Sequence, residues 1–399
     1  MLVKLQLTKD KAIEIGIPGG GGKSKVRNDL TGVELYSGCP RGCPAVRLQR
    51  RKSEWILSAA GYVKEPDGAM PQEWEEITKQ PIWTLPSEFH ASGAAIAVNS
   101  RLGSFGQASE EAIIQDMIHG VAAVQDTTPK ETSFVGADGV RRFGIRRAAP
   151  APKPQPANTS GKRPELPVDS APVSENGRRF VVRPMAEGNF KLCASLPEFQ
   201  ALWLGRLFKE GKRPTAASIQ VAESALMASV LAQPTFNEAK GSIIAVFVRE
   251  HAVFFAGYKD GEPLLWRRCP SVGGWAEMAK GVKDELGLEE SLIDSALEEA
   301  LIDLRPALEP FVHPVMEQLE LARTYLAGKH GMINDSAILL GLPYGSSYWS
   351  RYAWEALGMT LAAPSPFEGI RLEDGVKAEF PQDFLPALGA ALAASEVET

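Results

Sequence analysis

The glycine-rich run IPGGGGKSK (17–25) contains the residue types that bind nucleotide phosphates. A Walker-type phosphate loop needs a glycine five positions before its last glycine, and Lys with Ser or Thr after it. The last glycine here is Gly22, and Ile17 stands five positions before it, so the spacing is wrong. Such a loop must also open a helix whose N-terminal N–H groups face the anion, whereas the strand-like GVELYS (32–37) follows soon after. The run therefore predicts a flexible connector, and any nucleotide site must be sought elsewhere in the chain.

Cysteine and histidine spacing predicts no metal site. Cys39 and Cys43 in GCPRGCP are separated by three residues, and no second Cys or His pair lies nearby, as a zinc site would require. The chain has 4 cysteines in 399 residues, which is too few for a disulfide framework in a chain of this length. We expect reduced cysteines in a Pro/Gly turn and no bound metal.

Composition and charge exclude several classes of protein. The net charge of −6 argues against a general affinity for nucleic acid or an anionic membrane. The N-terminal stretch alternates apolar and polar residues, unlike a signal peptide. The most apolar strand, SIIAVFV (242–248), ends at Arg249, far short of a membrane span. We expect a cytoplasmic protein of two to four domains or subdomains, with no direct membrane insertion.

Two stretches show the same order of predicted strands. The first is GVELYS, PAVRLQ and EWILSAAGYV (32–63), and the second is SIIAVFV, AVFFAGY and EPLLWRR (242–268). Tight turns join the runs, and the Asp-Gly turn in the second stretch is a good hairpin signal. A further strand follows each stretch, AAIAVN (94–99) and AILLGLP (337–343). The repeat predicts a duplicated α/β fold with a cleft between its halves.

Two helices are expected in the C-terminal part. The longer carries one apolar stripe with steps of three and four residues, which predicts a core face. The members of the stripe are Leu308, Val312, Val315, Leu319, Ala322 and Leu326. The final segment (381–399) predicts a short helix with Phe384, Leu388 and Leu392 on one side. We expect this helix to pack onto the rest of the protein. Its other face lacks the Lys and Arg of a membrane-anchoring helix.

One long segment has low complexity. Residues 148–178 contain seven prolines and almost no large apolar side chain. Such a stretch cannot bury enough surface to offset the entropy of ordering it, so we predict disorder.

The order, spacing and residue types of these elements resemble the PilM family, the actin-like cytoplasmic proteins of type IV pilus assembly. The C-terminal third carries the clearest resemblance, and further segments extend it over most of residues 30–395. The matching segments are GSIIAVFVREHAVFFAGYKDGEPLLWRR (241–268), SVGGWAEMAKGVKDELGL (271–288), EPFVHPVMEQLELARTYLAGKHG (309–331), AILLGLPYGSSYWSRYAWEALGMTLAAPSPFEGI (337–370), DFLPALGAALAA (383–394), FKLCASLPEFQALWLGRLFKEGKRPTAASIQVAESALMASVL (190–231), SFGQASEEAIIQDMIHGVAA (104–123) and, more weakly, GVELYSGCPRGCPAVRLQRR (32–51).

The resemblance implies an actin-like ATPase fold of the ribonuclease H-like type, an α/β fold related to actin and FtsA. Two duplicated lobes would then carry an inserted 1C-type subdomain. The implied boundaries are 1–30 for an N-terminal extension with the Gly-rich connector, 31–104 and 212–240 plus 380–399 for subdomain 1A, 105–211 for the inserted subdomain 1C with the loop 148–178, and 241–379 for the C-terminal lobe (2A/2B).

The phosphate loops depart from the pattern of the family. Its first loop carries Asp-Ile-Gly-Ser, whereas this chain has Glu34-Leu35-Tyr36-Ser37, followed by an inserted CPRG. The segment AIEIG, with Glu14, is an alternative first loop, but the expected strands do not follow it at once. In the second loop, Phe247 and Arg249 stand where the family has Asp and Gly. Water-mediated Mg²⁺ coordination needs a carboxylate, and a phosphate cradle needs glycine N–H groups.

The adenosine side departs as well. The usual Gly-Gly pair is Gly341-Leu342 here, and Pro343 after it has no N–H to donate. Losses at three sites predict a protein without catalytic residues, with hydrolysis gone and no cofactor; ATP with Mg²⁺ is the alternative. If nucleotide binds, the resemblance implies five contact residues: Glu34, Ser37, Gly273, Gly274 and Gly341.

For function, the resemblance implies a non-catalytic scaffold at the inner face of the inner membrane. The scaffold would bind the cytoplasmic N-terminal peptide of a single-span pilus assembly protein, in a groove near Ser100, Arg101 and Leu102. Peptide capture needs a groove and backbone hydrogen bonds rather than catalytic residues. One alternative is an active actin-like ATPase that uses Glu34 or Glu14. Another is an actin-like component of type II secretion, a family expected to continue into a membrane span. Self-association stays open.

Overall fold

The structure is a computed structural model. It describes residues 2–8, 11–16, 28–35, 39, 41–52, 54–66, 83–99, 103–119, 131–135, 141–145, 174, 177–185, 189–208, 214–299, 302–332 and 334–395. The strands in these ranges are β1 (Leu2–Thr8), β2 (Lys11–Gly16), β3 (Asp29–Leu35), β4 (Cys43–Arg51), β5 (Glu54–Val63), β6 (Gly93–Val98), β7 (Ser104–Ala108), β8 (Glu131–Val135), β9 (Arg141–Ile145), β10 (Arg178–Pro184), β11 (Lys191–Pro197), β12 (Thr215–Val221), β13 (Ile243–Val248), β14 (Val253–Lys259), β15 (Glu262–Arg268), β16 (Ser336–Leu340), β17 (Thr360–Ala362) and β18 (Arg371–Leu372). The helices are α1 (Glu111–His119), α2 (Glu198–Gly205), α3 (Ala222–Ser229), α4 (Pro234–Glu238), α5 (Trp275–Leu286), α6 (Ile293–Glu299), α7 (Arg305–His330), α8 (Ser346–Leu357) and α9 (Leu385–Ser395).

The two large sheets repeat one arrangement, which confirms the predicted duplication. In the first sheet, β5, β4 and β3 form an antiparallel meander, and β6 and then β12 add in parallel beyond β3. In the second sheet, β15, β14 and β13 form the same meander, and β16 and then β17 add in parallel beyond β13. The turn that follows the first strand of each meander, β3 or β13, therefore lies at the corresponding end of its sheet. We call the first sheet with α3, α4 and α9 the first lobe, and the second sheet with α5 to α8 the second lobe.

A third, smaller sheet lies between the two parts of the first lobe in the sequence. It has the order β10-β11-β7, and α1 packs on one of its faces through Ile114, Met117 and Ile118. We call this sheet, with α1 and α2, the inserted subdomain. The hairpin β8–β9 forms a separate two-stranded sheet.

The long helix and its stripe agree with the sequence prediction. Helix α7 runs for 26 residues, and all six members of the stripe are buried in a core with α5, α8 and one face of the second sheet. The helix ends at Gly331, whose positive φ of 63° suits the left-handed position that closes many helices.

Helix α9 differs from the prediction of a one-sided helix, because all of its residues are buried. It lies between β3 and α3, and glycines allow both close contacts. A Cβ on Gly32 of β3 would lie 1.8 Å from the carbonyl oxygen of Ala387, and a Cβ on Gly389 would lie 1.7 Å from that of Ala225. The terminal helix is therefore a central element of the first lobe. Its alanine-rich sequence suits this position, because small side chains permit close packing against a sheet and a helix.

Two predicted boundaries are corrected by the strand pairing. Residues assigned to an N-terminal extension (1–30) include β1 and β2, and β2 joins the first sheet by pairing in parallel with β12. Near the end of the predicted C-terminal lobe (241–379), β18 pairs with β5 in the first sheet. Phe367 and Ile370, just before β18, are buried in the core of the first lobe. Their burial holds this segment against the first lobe rather than the second.

Several predictions fall on residues outside the described ranges. These include the Gly-rich run, most of the predicted disordered segment, and the groove residues Ser100, Arg101 and Leu102. Among the described helices, none combines the length and the apolar character needed to cross a bilayer.

Candidate functional site

An ion pair joins the two lobes at the ends of their first strands. Glu34 lies near the end of β3, and Arg249 follows β13 in the tight turn that leads into β14. One guanidinium nitrogen of Arg249, Nη2, donates to Glu34 Oε1 at 2.9 Å and to Oε2 at 3.0 Å. The Arg249 N–H donates to the carbonyl oxygen of Ala252 at 2.8 Å and closes the turn. The structure thus brings together one predicted site residue and one residue noted as a departure from the family.

Burial makes this pair asymmetric. The side chain of Glu34 is 2% exposed, whereas that of Arg249 is 22% exposed. Burial raises the pKa of Glu34, and Arg249 opposes this rise by its charge and its hydrogen bonds. Asp383 and Glu250 add smaller contributions that also raise the pKa. Burial therefore favours the neutral form of Glu34, and Arg249 favours the ionised form.

The N-terminus of α5 faces the same turn. Trp275 and Ala276 donate their N–H groups to the carbonyl oxygens of Arg249 and Glu250, at 2.9 and 3.1 Å. Gly274 has a φ of 129°, and a Cβ there would lie 2.4 Å from the Arg249 carbonyl oxygen, so this approach requires glycine.

The preceding glycine, Gly273, also makes a hydrogen bond within the chain. The N–H of Gly273 donates to the side chain of Glu277. A helix N-terminus with free N–H groups can bind an anion. In this helix, the N–H groups of Gly273, Trp275 and Ala276 already bond to oxygens of the chain itself.

Gly341, the glycine predicted for the adenosine side, also uses its N–H in a hydrogen bond within the chain. The N–H of Gly341 donates to Gln382 Oε1 at 2.6 Å. Its φ is 84°, and a Cβ would lie 2.6 Å from the carbonyl oxygen of Val248. Gly341 thus lies against the end of β13, close to the Arg249 turn. Leu342 after it is buried in the core of the second lobe.

Phe247, which replaces the family's carboxylate, is fully buried. Its ring centroid lies 6.1 Å from that of Trp266 on β15. Trp266 also stacks on Phe254 with centroids 5.1 Å apart. The position therefore contributes to an aromatic core, and its side chain is a structural group.

A second polar cluster beside the ion pair was missed by the sequence analysis. Asp383 accepts hydrogen bonds from Arg41 Nη1 at 3.0 Å and from the Tyr62 hydroxyl at 2.7 Å, and Cys39 Sγ lies 3.8 Å away. The Arg41 guanidinium lies 3.6 Å from the centroid of the Phe380 ring, a cation–π contact. Burial, with the bond to Asp383 adding to it, raises the pKa of Tyr62. Arg41 of the inserted CPRG thus contacts the segment that immediately precedes α9.

Only part of that cluster had a signal in the sequence. The CPRG insertion marks Arg41 as unusual, but more than 300 residues separate it from Asp383. A single sequence carries no information on such a pairing.

The remaining predicted residues are placed as follows. Ser37 lies outside the described ranges, and Glu14 lies in β2, which is separated from β3 by two strands, β12 and β6. Within the described part of the chain, no three His, Cys, Asp or Glu side chains are grouped so as to hold a metal ion. The cysteines described there, including Cys39 and Cys43, form no disulfide.

The duplicated meanders, the parallel strands added beyond each first strand, and the inserted subdomain together define an actin-like ATPase fold. The cleft of this fold lies where the two strand ends meet. Here an ion pair and hydrogen bonds between the chain's own groups cross it. Glu34 and the three donors of the α5 turn, which are the kinds of group that bind the Mg²⁺ and phosphates of a nucleotide, are here bonded to groups of the chain itself.

Comparison with known proteins supports the fold. No protein-family profile matches the sequence, and no curated protein matches it by sequence. Among solved structures, the chain is similar to one described as the PilM-PilN type IV pilus biogenesis complex, with 13% identity, a TM-score of 0.50, and coverage of 93% of this chain and 100% of that one. A Bacteroides thetaiotaomicron protein with an actin-like ATPase fold and unknown function has 7% identity, a TM-score of 0.40, and coverage of 92% and 99%. The cytoplasmic domain of EpsL, an inner-membrane component of the type II secretion system of Vibrio cholerae, has 8% identity, a TM-score of 0.25, and coverage of 60% and 71%.

Proposed function

We propose that this chain is a non-catalytic, actin-like scaffold in a type IV pilus-like assembly machine. In this role it recruits the cytoplasmic tail of a single-span inner-membrane partner, and so works at the inner face of that membrane. The Glu34–Arg249 ion pair carries the proposal. It places two side chains of the protein at the meeting point of the two hairpins, where an ATPase needs a free carboxylate and free donors.

The energetics of the cleft support a role without nucleotide. A ligand there would have to displace the bond from Gly341 to Gln382 and the bond from Gly273 to Glu277. Each displaced bond costs about 0.5–1.5 kcal/mol. It would also separate Arg249 from a carboxylate that is 2% exposed, and loss of a partner is costly for a buried charge. A scaffold function needs none of these bonds to break.

We expect the purified protein to show no binding of Mg-ATP. Isothermal titration calorimetry with millimolar Mg-ATP should give only heat of dilution, and the thermal unfolding midpoint should not shift. A ligand at 100 times its Kd stabilises the folded state by about 2.7 kcal/mol, so at 1 mM nucleotide a Kd of about 10 μM would give a visible shift. Micromolar binding would contradict the proposal and support the alternative of an active actin-like ATPase. Glu34→Ala would then separate binding at this cleft from binding elsewhere.

Recruitment of a partner is proposed from the similarity to the PilM-PilN type IV pilus biogenesis complex. An extended peptide can bind through main-chain hydrogen bonds and side-chain pockets, and this needs no nucleotide. The groove residues proposed from the family are Ser100, Arg101 and Leu102, between the first sheet and the inserted subdomain in the sequence.

Binding of a partner tail can be measured with synthetic peptides. The probes are the cytoplasmic N-terminal tails of single-span inner-membrane proteins from the same organism, with each tail also made in scrambled order. We expect one tail from a pilus assembly protein to bind, with an affinity unaffected by Mg-ATP and lowered about tenfold by Arg101→Ala, on the scale of one charged hydrogen bond. Arg371→Ala is the matched control, because Arg371 is exposed on β18, at the far edge of the first sheet. Equal weakening by both variants would contradict the groove, and binding of a type II secretion tail alone would favour that alternative.

A further inference from the structure

The second sheet buries both of its faces in different apolar cores. Along β13, Ile244, Val246 and Val248 belong to the core with α5 and α7, whereas Ile243, Ala245 and Phe247 face the other way. All six residues of β13 are buried. Side chains alternate between the faces of a strand, so the face that could line an aqueous cleft is apolar and covered.

That inner face belongs to a core that also includes residues of the first lobe and of the inserted subdomain. The cluster containing Phe247 also contains Val33 of the first sheet and Leu192 of the inserted subdomain. Tyr258 makes a direct link to the first lobe, because its hydroxyl donates to the Met227 carbonyl oxygen at 2.9 Å and its ring lies 5.6 Å from that of Phe236. The first and second lobes therefore pack through apolar and aromatic side chains as well as through the ion pair.

The inserted subdomain makes a further contact to the second lobe, at the edge strand β15. Phe105 of β7 packs edge-on against Trp266 with ring centroids 5.4 Å apart. The backbone N–H of Trp266 donates to Gln107 Oε1 at 2.6 Å, and Arg183 pairs with Glu262 at 2.7 Å. The inserted subdomain is thus tied to the first lobe by the chain and to the second lobe by these contacts.

We propose that the two lobes and the inserted subdomain form one rigid body, whose lobe angle is fixed by the shared core around Phe247 and Trp266. Domains of one chain usually move relative to each other unless their interface is large and hydrophobic, and here the interface is a common core. Polar contacts at Arg249 and Gln107 set its orientation. This inference is independent of the proposed partner. It extends the contacts seen at the cleft to the whole interface between the lobes and the inserted subdomain.

Distances between spin labels test the rigidity directly. Asp116→Cys on α1 and Glu355→Cys on α8 place labels at exposed positions of the inserted subdomain and the second lobe. Cys39→Ser removes the half-buried cysteine, and the other three cysteines are buried. We expect one narrow distance distribution by double electron–electron resonance, unchanged by millimolar Mg-ATP. A broad or bimodal distribution, or a shift with Mg-ATP, would overturn the proposal.

A matched pair of variants tests which contact fixes the angle. Phe105 and Phe311 are both 5% exposed, but Phe105 joins the inserted subdomain to β15 and Phe311 lies within the core of the second lobe. Phe105→Ala should broaden the label distance distribution, whereas Phe311→Ala should lower the unfolding midpoint and leave the distribution narrow. Equal behaviour of the two variants would contradict the assignment of Phe105. The labelled protein without either change still tests rigidity if a variant fails to fold.

The nucleotide titration and the label distances can fail separately. Binding of Mg-ATP without a change in distance would reject the proposed function and keep the rigid body. A broad distribution without nucleotide binding would reject the rigid body and keep the scaffold.

Discussion

Gly389→Ala is expected to lower the free energy of unfolding by about 3 kcal/mol, or to prevent folding. The added Cβ would lie 1.7 Å from the Ala225 carbonyl oxygen and 3.0 Å from the Ser229 nitrogen. Both atoms belong to the backbone of α3, so relief requires α3 and α9 to separate. Because α9 is buried on all sides, such a shift also disturbs its packing on β3. Urea unfolding monitored by circular dichroism measures the change.

Gly328→Ala is the matched control, since it makes the same change in another helix. Gly328 lies on the exposed side of α7, and its Cβ would have nothing within 4 Å. Alanine is favoured over glycine inside a helix by about 0.5–1 kcal/mol, so this variant should be slightly more stable than the wild type. A similar loss of stability in both variants would mean that the close contact of Gly389 with α3 does not account for the effect, because Gly328 has no such contact.

Local patterns in the sequence predicted much of the fold. Alternating apolar residues and tight turns placed both three-stranded meanders, and three- and four-residue steps placed the buried stripe of α7. These signals lie within ten to thirty residues of sequence. The role of α9 could not be read in this way. Its alanines look the same whether a helix packs on one side or on all sides, and only the approach of Gly32 and Gly389 distinguishes them.

Some residues around the cleft were selected from the sequence, and their role as a binding site stays a prediction. Glu34, Gly273, Gly274 and Gly341 were selected through the resemblance to a family, and the structure places them around the turn at Arg249. The partners of Glu34 and Gly341 were not predicted, because the bonds to Arg249 and Gln382 join residues that are distant in sequence. The same holds for β18, which pairs with β5 over more than 300 positions. Pairing of this kind depends on the completed fold.

Removal of Arg249 tests the ion pair at the cleft, and we expect a loss of about 3–5 kcal/mol for Arg249→Met at pH 8. The variant leaves Glu34, whose side chain is 2% exposed, without the opposite charge that favours its ionised form. Glu34→Gln should cost less, about 1 kcal/mol, because the Arg249 side chain is 22% exposed and can be hydrated. The double variant should recover most of the loss caused by Arg249→Met, since no unpaired buried carboxylate remains.

The pH dependence separates loss of the charge pair from simple loss of packing. In the wild type, burial already raises the pKa of Glu34 above its ordinary value of 4.5, and Arg249 limits that rise. Without Arg249, the folded pKa rises further, so the folded protein holds a proton that the unfolded chain releases. Stability then falls with increasing pH between the unfolded and the folded pKa, by up to about 1.4 kcal/mol per pH unit. The loss of stability caused by Arg249→Met should therefore be small near pH 4.5 and large at pH 8. At pH 8, Glu34→Gln should cause a smaller loss than Arg249→Met does. A deficit of Arg249→Met that is the same at both pH values would show that the guanidinium contributes packing alone, and that Glu34 does not depend on its charge.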